Sequence, residues 1–144
     1  SNQIDQGAAA DVVALVERTL DDHAAQIAER SLVIVRDYIG TPVLAQPASL
    51  VQITVGNLLR NAIEHTRDGR IEIRIEDSLI AIRDTGEGIP ADKLAQVFDR
   101  SYSTKASGTG LGLNLVKRIC DRFHWTITLE SAPGRGTLAT VRFQ

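Results

Sequence analysis

The sequence predicts an α/β (α+β) two-layer sandwich, in which a mixed, mostly antiparallel sheet is covered on one face by helices. Two strand-like stretches are each followed by a turn and a second strand-like stretch, a pattern typical of antiparallel hairpins. Helical spacing of apolar residues recurs in three longer segments. The resulting order of helix, strand, helix, hairpin, irregular segment, helix and hairpin differs from the strict alternation of a βαβ nucleotide fold.

Bulk composition fits one soluble domain spanning residues 1–144. The 144 residues include 43% apolar and 24% charged side chains, an ordinary balance for one globular core. The net charge of −2 gives no reason to expect nucleic acid as a partner, and no apolar run is long enough to cross a membrane. Residues 1–7 are expected to be flexible. The single cysteine, Cys120, lies on the apolar side of a predicted helix, so we expect a buried thiol in a reducing compartment.

The first part of the chain contains two predicted helices and a strand. Apolar residues recur at helical spacing over residues 8–30 and again over residues 47–66, where Pro47 suits a first helical position. Between them, the β-branched residues 32–38 predict a strand, which ends at the turn residues 40–42.

The rest of the chain contains two predicted hairpins and a helix. Isoleucines alternate with charged residues over residues 71–76, and a turn leads into a second strand over residues 79–83. Helical spacing resumes over residues 111–123, and a second pair of strands follows over residues 125–130 and 137–143.

Residues 84–110 are rich in Gly, Ser, Thr and Asp, with one short helical piece over residues 91–98. An irregular segment of this length inside a compact domain is usually functional. We therefore expect a lid over residues 91–110.

The first motif is a polar stripe on the helix predicted over residues 47–66. Asn57, Asn61 and His65 lie four residues apart and therefore share one face of that helix. An amide oxygen is a hard, neutral ligand that suits Mg²⁺ already bound to phosphates. The alternative is a pair of capping or solvated asparagines, and this motif alone does not decide between the two.

The second motif follows directly after a predicted strand and runs Asp84-Thr85-Gly86-Glu87-Gly88-Ile89. Gly86 and Gly88 allow positive φ and the close approach of a flat ligand. Asp84 can accept a hydrogen bond from an exocyclic amine such as that of adenine. A simple glycine-rich turn is the alternative.

The third motif opens a predicted helix and runs Gly108-Thr109-Gly110-Leu111-Gly112-Leu113. Backbone N–H groups at a helix N-terminus cradle phosphate oxygens, and Lys105 just upstream is placed to close over a terminal phosphate. The fourth motif is the turn Gly134-Arg135-Gly136-Thr137 before the last strand. Beside Asp84, the Thr137 hydroxyl would hold a water or the adenine edge. The plain alternatives are a helix cap for the third motif and a hairpin turn for the fourth.

In this order, the four motifs resemble the N, G1, G2 and G3 boxes of sensor histidine kinases, which belong to a superfamily that includes gyrase, Hsp90 and MutL. The resemblance covers residues 32–143. It implies a Bergerat-type ATP-binding fold, with ATP and Mg²⁺ held between the first-motif helix and the lid.

The resemblance also implies roles for individual residues. Asn61 would hold Mg²⁺, Asn57 would line the phosphate and adenine side, and Asp84 would bind the adenine amine with support from Thr137. The remaining implied nucleotide contacts are His65, Gly86, Gly88, Ile89, Lys105, Gly108, Thr109, Gly110, Leu111, Gly112 and Leu113. The implied catalytic residues are Asn57, Asn61 and Lys105.

One position separates the branches of this superfamily. In its ATPases and its anti-sigma-factor serine kinases, a glutamate acts as general base four residues before the metal-binding asparagine. That position is Asn57 here, which cannot take a proton. A neutral imidazole is already nucleophilic at neutral pH, so a histidine kinase needs no such base. The sequence therefore favours histidine kinase over ATPase or serine kinase.

Two positions depart from the family pattern. Glu64 stands where many members carry Lys or Arg on the phosphates, and Ser101 replaces a phenylalanine in the stretch over residues 97–102. These departures support the alternative of a nucleotide-binding regulatory module without phosphotransfer.

The chain contains three histidines, His23, His65 and His124, and none has the His-Glu/Asp-x-x-x-Pro context of a phospho-acceptor. By the resemblance, that histidine lies on a dimerisation domain outside this chain, and the phosphoryl group passes on to the receiver domain of a response regulator. We expect the isolated domain to be a monomer, the full-length protein to be a homodimer, and this domain to lie in the cytoplasm beneath a membrane sensor.

Overall fold

The computed structural model describes residues 9–98 and 109–143, and of residues 109–111 the backbone alone. The helices are α1 (Val12–Asp22), α2 (Ala24–Glu29), α3 (Ala48–Glu64), α4 (Ala91–Leu94) and α5 (Thr109–Phe123). The strands are β1 (Ala10–Asp11), β2 (Val33–Tyr38), β3 (Val43–Leu44), β4 (Arg70–Glu76), β5 (Leu79–Asp84), β6 (Thr126–Ser131) and β7 (Thr137–Arg142). The predicted α+β sandwich is confirmed.

In the described part of the chain, five strands form one sheet in the order β2-β4-β5-β7-β6. β2 and β4 are parallel and are joined by a crossover that contains α3, whereas the other three pairs are antiparallel. Both predicted hairpins, β4–β5 and β6–β7, are present. The sheet is therefore mixed and mostly antiparallel, as predicted.

The core lies between the sheet and the helices α1, α3 and α5. Alternation along β4 places Ile71, Ile73 and Ile75 on the inner face, where all three are fully buried, while its charged residues lie on the open face. Val16 of α1 and Leu59 of α3 are buried in the same cluster. The period of two in the strands and of 3.6 in the helices thus produces two apolar surfaces that cover each other.

The helix predicted over residues 8–30 is wrong in its extent. The first described element is β1, which pairs with β3. α1 starts only at Val12 because the Asp11 carboxylate accepts a hydrogen bond from the N–H of Ala14 at 3.1 Å. The helix then breaks at His23, whose Nδ1 lies 2.9 Å from the carbonyl oxygen of Thr19. Apolar spacing continues across this break, so the spacing alone did not reveal it.

The end of α3 is held by a side chain from another element. Arg30, which follows α2, donates from Nη2 to the carbonyl oxygen of Glu64 at 2.9 Å and from Nε to that of Thr66 at 2.8 Å. The last carbonyls of a helix lack partners within the helix, so this arginine satisfies two groups that otherwise need water. We call this contact the Arg30 clamp.

A second side-chain cluster joins α1 to the edge strand β2. Arg36 forms a two-pronged ion pair with Glu17, at 2.7 and 3.2 Å, and the Tyr38 hydroxyl donates to the same carboxylate at 2.6 Å. The hydrogen bond from Arg36 is the main reason why the pKa of Glu17 lies below its usual value.

Cys120 is buried on α5, as predicted. Burial raises the pKa of its thiol to about 11, so the group stays protonated at neutral pH. Among residues 9–98 and 109–143, no helix is both long enough and apolar enough to cross a membrane.

Candidate active site

A cavity opens between α3 and the inner face of the sheet, at the end of β5. Its walls are mostly apolar, and its polar side chains are Asn61, Asp84 and Thr137. The other lining residues are Leu58, Ala62, Ile82, Ile89, Leu113, Leu129 and Ala139. Such a surface suits a flat apolar ligand with a few polar atoms along one edge.

Asp84 is the buried carboxylate of this cavity, with 7% of its surface exposed. Its Oδ1 accepts hydrogen bonds from the backbone N–H of Gly86 at 2.9 Å and of Thr137 at 3.2 Å. Burial raises the pKa of Asp84, while these two N–H donors and the nearby His65 lower it in part. Because both donors bind Oδ1, the second oxygen, Oδ2, remains as an acceptor for a ligand.

The glycines of the second motif are needed for two different reasons. Gly88 has a φ of +76°, which a side chain would strain. Gly86, in contrast, does not adopt the positive φ that a glycine allows. A Cβ at Gly86 would instead lie 2.2 Å from the carbonyl oxygen of His65. The absent side chain therefore lets the loop after β5 approach the end of α3.

Thr137 supports Asp84 through its backbone rather than its hydroxyl. Its Oγ1 lies 2.8 Å from Oγ of Ser131, which also accepts from the N–H of Ile89 at 2.8 Å and donates to the carbonyl oxygen of Gly136 at 2.9 Å. The Thr137 hydroxyl thus contacts Ser131, and because Thr137 also lines the cavity, its use beside the ligand stays a prediction. Sequence analysis missed Ser131, although its place opposite Thr137 in the second hairpin was a usable signal.

Asn61 and Asn57 both lie on α3, but the hydrogen bonding of their side-chain amides differs. Asn61 lines the cavity, and its Nδ2 is buried without a hydrogen-bond partner in the described structure. Asn57 is 8% exposed, and its Nδ2 donates to the carbonyl oxygen of Ile53 at 2.8 Å. Its Oδ1 accepts from Arg60, and a Cβ at Gly112 would lie 2.3 Å from that oxygen. The first motif and the third therefore meet at Asn57.

His65 is the last of the three residues of the polar stripe. It follows the last residue of α3, and its Nδ1 lies 3.3 Å from Oε2 of Glu87 in the loop after β5. The Arg30 clamp binds the carbonyl groups on either side of it. The structure thus brings His65 beside the Asp84 end of the cavity.

Part of the third motif and half of the predicted lid, residues 99–108, fall outside the described residues. Lys105, Gly108 and Ser101 are among these, and of Thr109, Gly110 and Leu111 only the backbone is described, as the first turn of α5. Leu113 is buried at the cavity wall.

The described beginning of the predicted lid is attached to the core. Val97 is fully buried, and Asn114 of α5 donates from Nδ2 to the carbonyl oxygen of Phe98 at 2.9 Å. A lid over residues 91–110 therefore stays a prediction, and residues 91–98 provide its anchor.

The donor set around the cavity fits a metal ion that arrives with phosphates. Among the described residues, no group of three or more His, Cys, Asp or Glu side chains is placed to hold a metal. Asn61 lines the cavity with one neutral amide, and its oxygen would be the metal ligand, whereas its buried Nδ2, which lacks a partner, is a hydrogen-bond donor. One such ligand suits Mg²⁺, which keeps several waters and takes most of its coordination from substrate phosphates.

Comparison with known proteins identifies the class. Residues 46–144 match the family of histidine kinase-, DNA gyrase B- and HSP90-like ATPases. The sensor protein CreC of Escherichia coli (strain K12) is 35% identical over 143 residues, which cover 93% of this chain and 30% of CreC. This chain therefore spans less than a third of the length of that relative.

Solved structures share the fold. A mycobacterial sensor histidine kinase, MprB, has a TM-score of 0.81 at 22% identity, over 94% of this chain and 95% of that chain. Full-length ShkA in complex with AMPPNP has a TM-score of 0.76 at 20% identity, over 94% of this chain and 30% of that chain.

The chain belongs to the histidine kinase-, DNA gyrase B- and HSP90-like ATPase family. Within it, the relatives are sensor histidine kinases, so this is the ATP-binding catalytic domain of that type. The resemblance inferred from the four motifs is confirmed.

Proposed function

We propose that this domain binds Mg-ATP and transfers the γ-phosphoryl group to a histidine on a dimerisation domain outside the chain, for two-component signal transduction. The observation that carries the proposal is the surroundings of Asp84. Two backbone donors occupy one of its oxygens, and the other is left to accept from an amine at an apolar cavity. This arrangement fits the edge of adenine.

The remaining groups are placed for the triphosphate. Gly112, in the first turn of α5, lies against Asn57, so the phosphates would meet backbone N–H groups and the positive end of the helix dipole. Asn61 would hold Mg²⁺, which supplies neutralisation of the charge on the transferred phosphoryl group. The other residues implied to bind the nucleotide, including Lys105 and Gly108, are part of the same proposal.

Asn57 determines which acceptor the site can serve. An amide cannot remove a proton from water or from a hydroxyl group, and its nitrogen is already bonded to the backbone of α3. A neutral imidazole needs no such help, because its free nitrogen lone pair is nucleophilic at neutral pH. A histidine acceptor is therefore favoured over water or serine.

The partners belong to the proposal as well. His23 is engaged at the end of α1, His65 lies in the site and His124 follows α5 in a left-handed turn, so we place the phospho-acceptor on a separate dimerisation domain. A response regulator would receive the phosphoryl group from it. The names of the relatives support this arrangement. A cytoplasmic location of the domain and a homodimer of the full-length protein belong to the same proposal. The AMPPNP complex of ShkA supports a nucleotide in the corresponding cavity.

Thermal unfolding with and without Mg-ATP tests the nucleotide site. At a ligand concentration about a hundredfold above Kd, binding adds about 2.7 kcal/mol to the free energy of unfolding, which raises the midpoint by roughly 5 to 10 °C. Asn61→Ala should lose the Mg²⁺-dependent part of this shift. Omission of Mg²⁺ from the wild type is the matched control, because it should give the same smaller shift. No shift for the wild type at millimolar Mg-ATP would overturn the proposal.

Transfer itself needs a second assay, in which the chain is mixed with a separately produced dimerisation domain and labelled ATP. Label on a histidine of that domain supports the kinase. Nucleotide binding without transfer would instead favour a regulatory module, the alternative that the acidic Glu64 supports. ATP turnover by the chain alone would favour an ATPase.

A further inference from the structure

The orientation of the Asn57 side chain limits what this residue can bind. Its Nδ2 donates to the carbonyl oxygen of Ile53 at 2.8 Å, and its Oδ1 accepts from Nη2 of Arg60. A carbonyl oxygen can only accept and a guanidinium can only donate, so the two neighbours fix which end of the amide is oxygen. Phosphate oxygens need donors, and the oxygen of Asn57 cannot donate. One of its two amide N–H groups is used by Ile53, so a single N–H of Asn57 is left for a phosphate.

Arg60 supplies further donors. A guanidinium carries five N–H groups in a planar fork that matches phosphate, and Arg60 is exposed. The oxygen of Asn57 that holds this guanidinium is also the atom that a Cβ at Gly112 would meet at 2.3 Å. The charged group is therefore held beside the first turn of α5, where a phosphate would lie.

The charges of the site make a cation necessary there. Among the described residues, the carboxylates of Glu64, Asp84 and Glu87 lie on this side of the molecule or at its loop, and the polyphosphate adds further negative charge. Sequence analysis assigned phosphate binding by a side-chain cation to Lys105 alone.

We propose that Arg60 binds the terminal phosphates of the nucleotide and that Asn57 positions its guanidinium. This inference rests on the proposed nucleotide site. The base end of the cavity lies at His65, whose carbonyl oxygen a Cβ on Gly86 would touch. The phosphates that Arg60 would bind are therefore the terminal ones, which lie farthest from the base. Asn57 lies two helical turns earlier on α3, at the opposite end of the polar stripe.

Calorimetric titration of this chain with ATP and with AMP tests the role of Arg60. Arg60→Gln should weaken ATP binding by about 5- to 30-fold, the value of a charge-assisted hydrogen bond at a partly exposed site, and should change AMP binding by less than about twofold. Arg142→Gln is the matched control, because this arginine is exposed near the end of β7 on the open face of the sheet. It should leave both affinities unchanged.

A charge-transfer variant separates the cation from the general integrity of α3. In the double variant Arg60→Gln, Glu64→Lys, a lysine one turn further along the helix replaces the lost charge on the same side. We expect it to regain most of the ATP affinity that Arg60→Gln loses. Equal thermal midpoints of the nucleotide-free variants establish that folding is unaffected.

The positioning role of Asn57 is tested by a double-mutant cycle with Asn57→Ala and Arg60→Gln. If Asn57 acts through Arg60, the double variant should bind ATP no more weakly than Arg60→Gln alone. Additive losses would show that Asn57 contacts the nucleotide independently, which overturns the positioning role.

Two results would overturn the inference as a whole while leaving the proposed function intact: ATP binding of Arg60→Gln equal to that of the wild type, or an equal loss for ATP and AMP. A wild-type chain that binds no ATP would overturn the proposed function and this inference together.

Discussion

Asp84 is a buried carboxyl group whose two oxygens have different surroundings. Oδ1 accepts hydrogen bonds from the N–H groups of Gly86 and Thr137, whereas neither of these donors binds Oδ2, and Asp84 lines the cavity. In Asp84→Asn, the amide oxygen should take the place of Oδ1 and accept from the two backbone N–H groups. The opposite orientation would place the NH₂ group, a donor, against these two donors. The new NH₂ then replaces Oδ2, so a donor faces the amine of adenine.

This exchange predicts an inverted base preference. Asp84→Asn should weaken ATP binding by roughly 10- to 100-fold, because two donors are left facing each other in a buried site. The same substitution should weaken the binding of inosine triphosphate much less, since its base carries a carbonyl oxygen in place of the amine. Asp21→Asn, an exposed acid on α1, is the control for the substitution itself. An unchanged ratio of the two affinities would contradict the assignment of Asp84 to the base.

The raised pKa of Asp84 also predicts a pH dependence with a definite sign. Its cause is burial, so the ionised form is penalised in the folded state. Its contribution to the free energy of unfolding is fully present below the unfolded pKa and is lost as the pH rises through the higher folded pKa. ATP binding has the opposite dependence, because the ionised carboxylate is the better acceptor. Affinity should therefore fall as the pH drops through the raised folded pKa, and Asp84→Asn should lack that fall.

At the scale of elements, the Arg30 clamp joins α2 to the end of α3. Its two hydrogen bonds satisfy carbonyl groups of Glu64 and Thr66, on either side of His65. Arg30→Ala should lower the free energy of unfolding by about 1 to 3 kcal/mol, because two hydrogen bonds from a charged group are lost and water replaces them only in part. Urea unfolding measures this, with Arg18→Ala on the exposed side of α1 as the control.

The same substitution should weaken nucleotide binding. The clamped end of α3 carries the backbone against which Gly86 packs, so its loosening disturbs the loop that presents Asp84. A variant that loses stability but binds ATP as tightly as the wild type would show that the clamp serves folding alone.

The elements that could be predicted from the sequence are those whose signal is local. Both hairpins follow from alternation and a turn, and α3 follows from its apolar spacing after Pro47. The pairing of β1 with β3 was missed, because strands of two residues carry no period of their own. The break at His23 was missed for a related reason, since apolar residues continue on both sides of it.

The site shows the same division between local motifs and distant contacts. The glycine motifs, Asn61 and Asp84 were found because each lies in a recognisable run. Ser131, the Arg30 clamp and the contact between Arg60 and Asn57 depend on side-chain directions that no run of sequence expresses. The contact of the Thr137 hydroxyl with Ser131 was missed for the same reason, because it arises from the pairing of β6 with β7.

At the scale of the whole molecule, the sheet places the end of β5 next to the start of β7. The register aligns Asp84 with Thr137, and β6 in turn aligns Ser131 with the same threonine. Three strands thus converge on one edge of the cavity, opposite α3. The base end of the site is therefore a product of the complete sheet rather than of one loop.

The donors to Asp84 reach it from very different distances along the chain. One comes from Gly86, two residues further along the chain, and the other comes from Thr137, 53 residues away in β7. During translation the nascent polypeptide exposes its asparagine stripe and its aspartate long before Thr137 leaves the ribosome. Until then the carboxylate lacks the second donor and the neighbouring strand that bury it. The growing polypeptide should therefore gain its adenine specificity only once β7 has been synthesised and paired, and should not draw on cellular ATP before that.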